Sequence, residues 1–103
     1  MGYRPYVHVK HEVKYADTPT PNFNWKNLLV HDFLTENGVD ILGSGECGEL
    51  PDWEMDKDQL RAIPESAFAE FKERDGVTED DLRRLVKELL EAKTGQSSYI
   101  SWF

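Results

Sequence analysis

One segment near the C-terminus, residues 78–95 (TEDDLRRLVKELLEAKTG), constrains the fold of this chain more than any other stretch. Thr78 is a good helix N-cap, because its hydroxyl can accept a hydrogen bond from a first-turn N–H group, and Asp81 stands where the acid of a capping box belongs. Gly95 can adopt the left-handed conformation that closes a helix. Apolar side chains recur at spacings of three and four, at Leu82, Leu85, Val86, Leu89 and Leu90. The segment therefore predicts an amphipathic helix whose apolar stripe joins the core.

Three other segments predict strands. Residues 6–15 alternate between apolar and charged side chains, which is typical of one half-buried strand. Residues 39–42 predict a short strand, and residues 97–103 predict a final strand with aromatic side chains on both faces. We expect this last strand to be paired into the sheet, because an unpaired terminus frays. The alternative is an edge strand that pairs with a second copy of the chain or with a partner.

Three more segments predict helices. The first begins at about residue 24, has Leu28 among its apolar positions, and ends before the stop signal formed by Asn37 and Gly38. Asp56 can cap a short helix over residues 57–62. Pro64 can begin another helix, which the pattern extends to about residue 74.

Together these segments predict a single α+β domain over residues 1–103. Its small sheet would hold an N-terminal strand, a short middle strand and a C-terminal strand, packed by about three helices that lie mostly on one face. The order strand, helix, strand at the N-terminus suggests a β-α-β unit, whose crossover would be right-handed if the two strands run parallel.

Charge is unevenly distributed along the chain, whose net charge is −8. Residues 1–26 hold four basic and two acidic residues, so the remainder carries −10. This balance argues against direct nucleic-acid binding, which needs clustered Lys and Arg, and it permits a basic protein partner. No apolar run approaches the ~20 residues of a membrane span. The single cysteine, Cys47, excludes an internal disulfide framework, so we expect a cytoplasmic protein.

The most acidic stretch is residues 46–58 (ECGELPDWEMDKD), where an acidic rim surrounds an aromatic side chain, Trp53. Such a combination is typical of a protein interface, although a buried Trp53 in a short strand is the alternative. An EF-hand calcium loop is excluded, because Lys57 stands where that loop needs glycine and Ile63 where it needs glutamate. We therefore predict no metal site. The predicted partner-binding residues are Glu46, Glu49, Asp52, Trp53, Glu54, Asp56 and Asp58.

Residues 43–48 (GSGECG) match the spacing of a dinucleotide-binding loop. We interpret them as a turn, because the following Glu49, Leu50 and Pro51 do not open a helix and no Lys or Arg is near to hold phosphate. The sequence therefore predicts no cofactor. No combination of residues points to a catalytic site either, although His31 and Cys47 are the side chains that a small enzyme would use.

Three hypotheses about function follow. The leading one is a non-catalytic interaction or regulatory protein whose acidic surface binds a basic protein partner. In this hypothesis the chain is an accessory protein of a phage or mobile element. The partner that it inhibits would be a nucleic-acid-binding protein. The alternative is a structural homo-oligomer that assembles through the C-terminal strand, and the third hypothesis is a small enzyme with an unrecognised site.

Overall fold

The computed structural model describes residues 5–10, 14–15, 20, 23, 26–42 and 52–102, with no side chains for residues 9, 10, 14, 15 and 52. It confirms a small α+β fold, with an antiparallel sheet packed against helices. The strands are β1 (Pro5–Lys10), β2 (Lys14–Tyr15), β3 (Ile41–Leu42), β4 (Asp52–Asp56) and β5 (Ser97–Trp102). The helices are α1 (Asn27–Glu36), α2 (Lys57–Arg61), α3 (Glu65–Ala69) and α4 (Glu79–Glu91). The described residues thus hold five strands rather than three, and one helix in each of the four segments that predict a helix, where about three were expected to pack on the sheet.

The five described strands lie in the order β2-β1-β5-β4-β3, and each neighbouring pair is antiparallel. β1 and β3 run in opposite directions, so these two strands do not form the suggested parallel β-α-β unit. β2, which precedes α1, runs parallel to β3 but lies at the opposite edge of the sheet. The C-terminal strand is paired into the sheet as expected, since β5 bonds to β1 on one side and to β4 on the other. The alternative of a C-terminal edge strand is wrong for the same reason, and β5 offers no free edge to a second copy.

The N-terminal segment forms two strands where the sequence predicts one. β1 ends at Lys10, and β2 pairs back against it with His8 opposite Tyr15 and Lys10 opposite Lys14. Alternation of apolar and charged residues has the same period in both arms of a hairpin, so it does not reveal where the chain reverses. Residues 11–13, between the two arms, lie outside the described part of the chain.

The long helix α4 begins as the sequence predicts. The Thr78 hydroxyl accepts from the Asp81 N–H at 3.3 Å, and the Asp81 carboxylate accepts from the Thr78 N–H at 2.9 Å, which completes the capping box. Its end is different, because Ala92 is already extended and Gly95 adopts its φ of +78° beyond the helix. The last carbonyls are satisfied by side chains: the Ser98 hydroxyl donates to Leu89 and the buried Lys57 ammonium donates to Ala92.

Helix α1 buries the apolar side chains of its sequence pattern with one exception, Leu28. Leu28 is 52% exposed, whereas the buried side chains are Leu29, Val30, Phe33 and Leu34. Residues 24 and 25, where the sequence predicts the start of this helix, lie outside the described residues. The helix stop is confirmed, since Asn37 caps the last turn and Gly38 has a φ of +87°.

The two short helices begin where the sequence predicts, but the second ends early. The Asp56 carboxylate caps α2 by accepting from the Asp58 N–H at 2.7 Å, and Leu60 and Ile63 are buried. Helix α3 is only five residues long, half the predicted length. A tight turn follows it, in which Asp75 and Gly76 have φ values of +54° and +85°.

The core lies on one face of the sheet, where the helices pack. Val7, Trp53 and Ile100 are each no more than 2% exposed, and they belong to one cluster with the buried side chains of all four helices. Trp53 also contacts Trp102, with the ring centroids 5.0 Å apart, and His31 of α1, at 5.9 Å. Of the helices in the described ranges, none is long and apolar enough to cross a lipid bilayer.

Candidate acidic binding pocket

Strand β4 carries its acidic and its apolar side chains on opposite faces of the sheet. Trp53 and Met55 are each 1% exposed and point into the core, so Glu54 and Asp56 point to the outer face. Cross-strand pairing places Leu42 and Tyr99 on either side of Glu54. Residues that are far apart in sequence therefore form one row across β3, β4 and β5.

A pocket of about 230 Å³ opens on this outer face, at the end of the sheet where β3 and β4 pair. Three of the six residues that line it are carboxylates and none is Lys or Arg. The pocket also has an apolar wall, because the Leu42 side chain is 60% exposed. Its lining is formed by Asp40, Leu42, Glu54, Asp56, Gln59 and Ser97. We call this group of residues the acidic pocket.

Hydrogen bonds hold two of the three carboxylates in place. Gln59 accepts from the Asp40 N–H at 2.8 Å and donates to the Asp40 carboxylate at 3.2 Å, which ties the chain before β3 to α2. The Asp56 carboxylate accepts from the Asp58 N–H and from the Gln96 amide, at 2.7 and 2.9 Å. These two bonds favour the ionised form and hold the pKa of Asp56 below its ordinary value, with a further contribution from the Arg61 charge. Asp56 is therefore a fixed negative charge at neutral pH.

Glu54 differs from the other two carboxylates. It is half-buried, and no hydrogen bond or ion pair joins its carboxylate to another residue in the described ranges. A partly buried carboxylate without a partner loses some of its hydration and gains no compensating bond. This charge is therefore available to a ligand that brings hydrogen-bond donors.

The predicted site residues are only partly brought together. Glu54 and Asp56 line the acidic pocket, and Asp58 lies nearby on α2, exposed and paired with Arg61 at 3.0 Å. The backbone of Asp52 lies on the same strand, with Ser101 opposite, but its side chain is outside the described part. Glu46 and Glu49 fall within residues 43–51, which also lie outside it.

Trp53 is not the exposed anchor of an interface, and the alternative of a buried Trp53 in a short strand is confirmed. Its ring lies in the core because β4 is an inner strand and one of its faces must be buried under the helices. Within the acidic stretch, residues 52–56 form β4 and residues 57–61 form α2, close to the helix predicted over residues 57–62. A partner that reaches the outer face touches Glu54 and Asp56 but not Trp53.

Sequence reasoning missed four residues of the acidic pocket: Asp40, Leu42, Gln59 and Ser97. Asp40 and Leu42 lie before β4 in the chain, and Ser97 belongs to the last strand. Only the sheet register brings them together. The one local signal is Leu42, an apolar residue at the end of a very short predicted strand, but exposure of a single leucine is common.

The histidines do not form a site in the part of the chain that the structure describes. His31 Nδ1 lies 3.7 Å from the Asp32 carboxylate, and the His31 ring packs edge-on against Trp53. His31 lines none of the three pockets described in this section. Cys47 and His11 lie outside the described residues. No group of three His, Cys, Asp or Glu side chains within the described ranges is arranged to hold a metal ion.

Two other surface depressions have a different character. A groove of about 370 Å³ between α3 and α4 is mainly apolar, with Phe68, Val86 and Leu90 in its floor. Arg83 crosses this groove, bonded to Glu65 at 2.6 Å and to Glu79 at 2.7 Å, and its guanidinium lies 5.1 Å from the centre of the Phe68 ring. A second depression of about 320 Å³ follows α3 and mixes acidic with basic residues, including Glu70, Glu73 and Arg74.

No protein-family model, curated protein or solved structure matches this chain.

Proposed function

We propose that this protein is a non-catalytic interaction protein that binds a basic protein partner through the acidic pocket. The observation that carries the proposal is the pocket itself, which combines three carboxylates with an exposed leucine and has no basic residue in its lining. A Lys or Arg side chain suits this chemistry, because its charged end meets the carboxylates while its aliphatic stem covers Leu42.

The charge of the whole chain supports the same partner. With a net charge of −8, the protein attracts a basic surface over a distance of about one Debye length, ~8–10 Å at physiological salt. Charge complementarity of this kind raises the association rate and selects against acidic partners. Binding should therefore weaken steeply as salt is added.

The finer proposal concerns the identity of the partner. A protein that binds nucleic acid presents clustered Lys and Arg to phosphate groups, and an acidic face can occupy the same cluster. We propose that the chain inhibits such a protein by competing with nucleic acid, as an accessory protein of a phage or mobile element would, and that it acts in the cytoplasm. The support is the small size and the acidic balance of the chain.

The test is affinity capture from a lysate of the source organism, with nuclease treatment and elution by a salt gradient. The immobilised baits are the wild-type protein, the double variant Asp40→Lys/Glu54→Lys, and a control, Glu70→Lys/Glu73→Lys. The control changes the net charge by the same amount but alters exposed residues that follow α3, away from the acidic pocket.

We expect a basic protein to be retained by the wild type and by the control, and lost from the pocket variant. The captured protein should bind nucleic acid, and added wild-type chain should displace that nucleic acid in a gel-shift assay. Equal retention by all three baits would mean that the pocket does not bind the partner. Equal loss from both charge-reversed baits would mean that net charge, rather than this site, is responsible.

A further inference from the structure

A second feature of the outer face lies directly beside Glu54. Tyr99 on β5 stands between His8 on β1 and Glu54 on β4. The imidazole of His8 stacks against the Tyr99 ring, with centroids 5.6 Å apart and planes 29° from parallel. A hydrogen bond of 2.8 Å between His8 Nε2 and the Ser101 hydroxyl fixes the imidazole on that side.

This arrangement leaves the two faces of the Tyr99 ring in different environments. β1 and β4 flank β5 on opposite sides, and the ring stacks on His8 of β1, so we infer that its other face is on the β4 side, where Glu54 stands opposite Tyr99 in register. The Glu54 carboxylate has no partner among the residues that the structure describes. Leu42, 60% exposed, stands on the far side of Glu54. An aromatic face, a free carboxylate and an apolar side chain therefore lie in one line across three strands.

We propose that the row formed by Leu42, Glu54 and Tyr99 is a recognition site for an arginine side chain of the basic partner. A guanidinium group is flat, so it stacks on an aromatic face while it donates two parallel hydrogen bonds to a carboxylate. A lysine ammonium is a compact point charge and has no plane to match against the ring. The inference rests on the proposed function, to which it adds the identity of the group that is recognised.

The same chemistry occurs inside this chain. Arg83 lies over the ring of Phe68, 5.1 Å from its centre, while its guanidinium binds the carboxylates of Glu65 and Glu79. There a single arginine satisfies two acids and covers an aromatic ring at once. Glu54 and Tyr99 offer the acid and the ring, and the arginine comes from the partner.

Other occupants fit this row less well. A phosphate or an acidic side chain is repelled by Glu54 and by the nearby Asp40 and Asp56. A purely apolar side chain would bury the Glu54 carboxylate without a hydrogen-bond donor, which is costly. A metal ion needs several converging ligands, and no such group is present among the described side chains.

The test uses three blocked pentapeptides that differ only at the central position: arginine, lysine or the neutral isostere citrulline, between glycine and serine residues. Each is titrated into the full-length protein at low salt while backbone amide resonances are followed by NMR. We expect the arginine peptide to shift the amides of residues 53–55 and 98–100 saturably. The lysine peptide should bind at least about threefold more weakly, and citrulline should not bind.

Variants of Tyr99 separate stacking from simple charge attraction. Tyr99→Phe keeps the ring and should keep the preference for arginine, whereas Tyr99→Leu should lower arginine affinity about two- to fivefold and leave lysine affinity unchanged. Glu54→Gln should weaken both peptides, and the distant Glu70→Gln should weaken neither.

Equal affinity for arginine and lysine peptides in the wild type, or no saturable shift with either, would overturn the inference. Neither result affects the capture experiment with Asp40→Lys/Glu54→Lys, which depends on charge reversal alone. Failure of the arginine site and failure of the acidic pocket are therefore distinguishable.

Discussion

The two faces of strand β4 show how five consecutive residues divide between stability and, in the function proposed above, recognition. On the inner face, Trp53 and Met55 are each 1% exposed and pack in the core. On the outer face, Glu54 and Asp56 line the acidic pocket. The inner face tolerates few substitutions, because almost every change of a buried side chain lowers the free energy of unfolding. The outer face is constrained far less, so its carboxylates are free to serve a partner.

The largest effect should come from the inner face. Trp53→Ala removes a side chain that packs against Trp102 and His31, and it should lower the free energy of unfolding by about 3–5 kcal/mol. Urea denaturation followed by far-UV circular dichroism measures the change. Because so small a domain has limited stability, partial unfolding without denaturant would agree with the prediction. A loss under about 1 kcal/mol would contradict the position of Trp53 in the core.

A milder variant of the same residue sharpens the comparison. The Trp53 indole N–H is buried without a hydrogen-bond partner in the described part of the chain. Trp53→Phe keeps much of the ring and removes this unpaired donor, so it should cost less than half as much as Trp53→Ala. An equal cost for the two variants in the same urea titration would mean that the N–H group has a partner.

A neighbouring inner position should show a smaller effect of the same kind. Ile100 lies opposite Trp53 in register and is 0% exposed. Ile100→Val deletes one methylene from a closed core and should cost about 0.5–1.5 kcal/mol in the free energy of unfolding. Tyr99→Leu, one residue away on the outer face, is the matched control and should cost less. A larger loss of unfolding free energy in Tyr99→Leu than in Ile100→Val would contradict the distinction between the buried and the outer face of the sheet.

Asp56 belongs to the outer face but also caps α2, so it should show an effect that depends on pH. Its pKa is lower in the folded state than in the unfolded state, so the unfolded state takes up the proton first as pH falls. The stabilisation is therefore complete above the ordinary Asp pKa of about 4 and is lost as pH falls through the lower folded value.

The variant Asp56→Ala should be less stable than the wild type at pH 7, and the difference should shrink below about pH 4. Urea titrations of both proteins from pH 7 to pH 2.5 measure it. Asp56→Asn, which keeps a capping side chain without the charge, should lie between the two at pH 7. A difference that stays constant over this range would mean that the carboxylate charge does not contribute.

The smallest effect on stability should come from Glu54. Glu54→Gln removes a charge that has no partner among the described residues, so the free energy of unfolding should change by no more than about 0.5 kcal/mol. The same variant should lose affinity for the partner found by capture, measured by isothermal titration calorimetry. A large loss of stability would show that Glu54 supports the fold and would remove the separation between the two faces.

Local features of the sequence predicted much of the secondary structure. The capping box of Thr78 and Asp81, the stop at Asn37–Gly38 and the Asp56 cap are all present, because each depends on residues within four positions of one another. Two predictions were wrong, because what decides them is not contained in residues within four positions of one another. Helix α1 has apolar residues on more than one side, so its pattern did not exclude Leu28 from the core. The N-terminal alternation did not reveal the hairpin.

The acidic pocket was predicted only in part. The sequence pointed to Glu54 and Asp56, because acids are concentrated there, but it left open whether Trp53 is exposed or buried. Acidic and apolar residues alternate in DWEMD (residues 52–56). This alternation alone does not show which face of the strand is buried, because that depends on the position of β4 in the sheet. Once β4 lies between β5 and β3, the apolar face must meet the helices.

The sequence by itself determined the α+β class, the helix α4 with its cap, and the strand at the C-terminus, because short-range hydrogen bonds and hydrophobic periodicity act within a few residues. Only the tertiary structure decided that β5 is a central strand and that Leu42, Glu54 and Tyr99 form one row. Strand order and register depend on backbone hydrogen bonds between residues tens of positions apart. No local pattern encodes them, and they place Glu54 opposite Tyr99 on neighbouring strands.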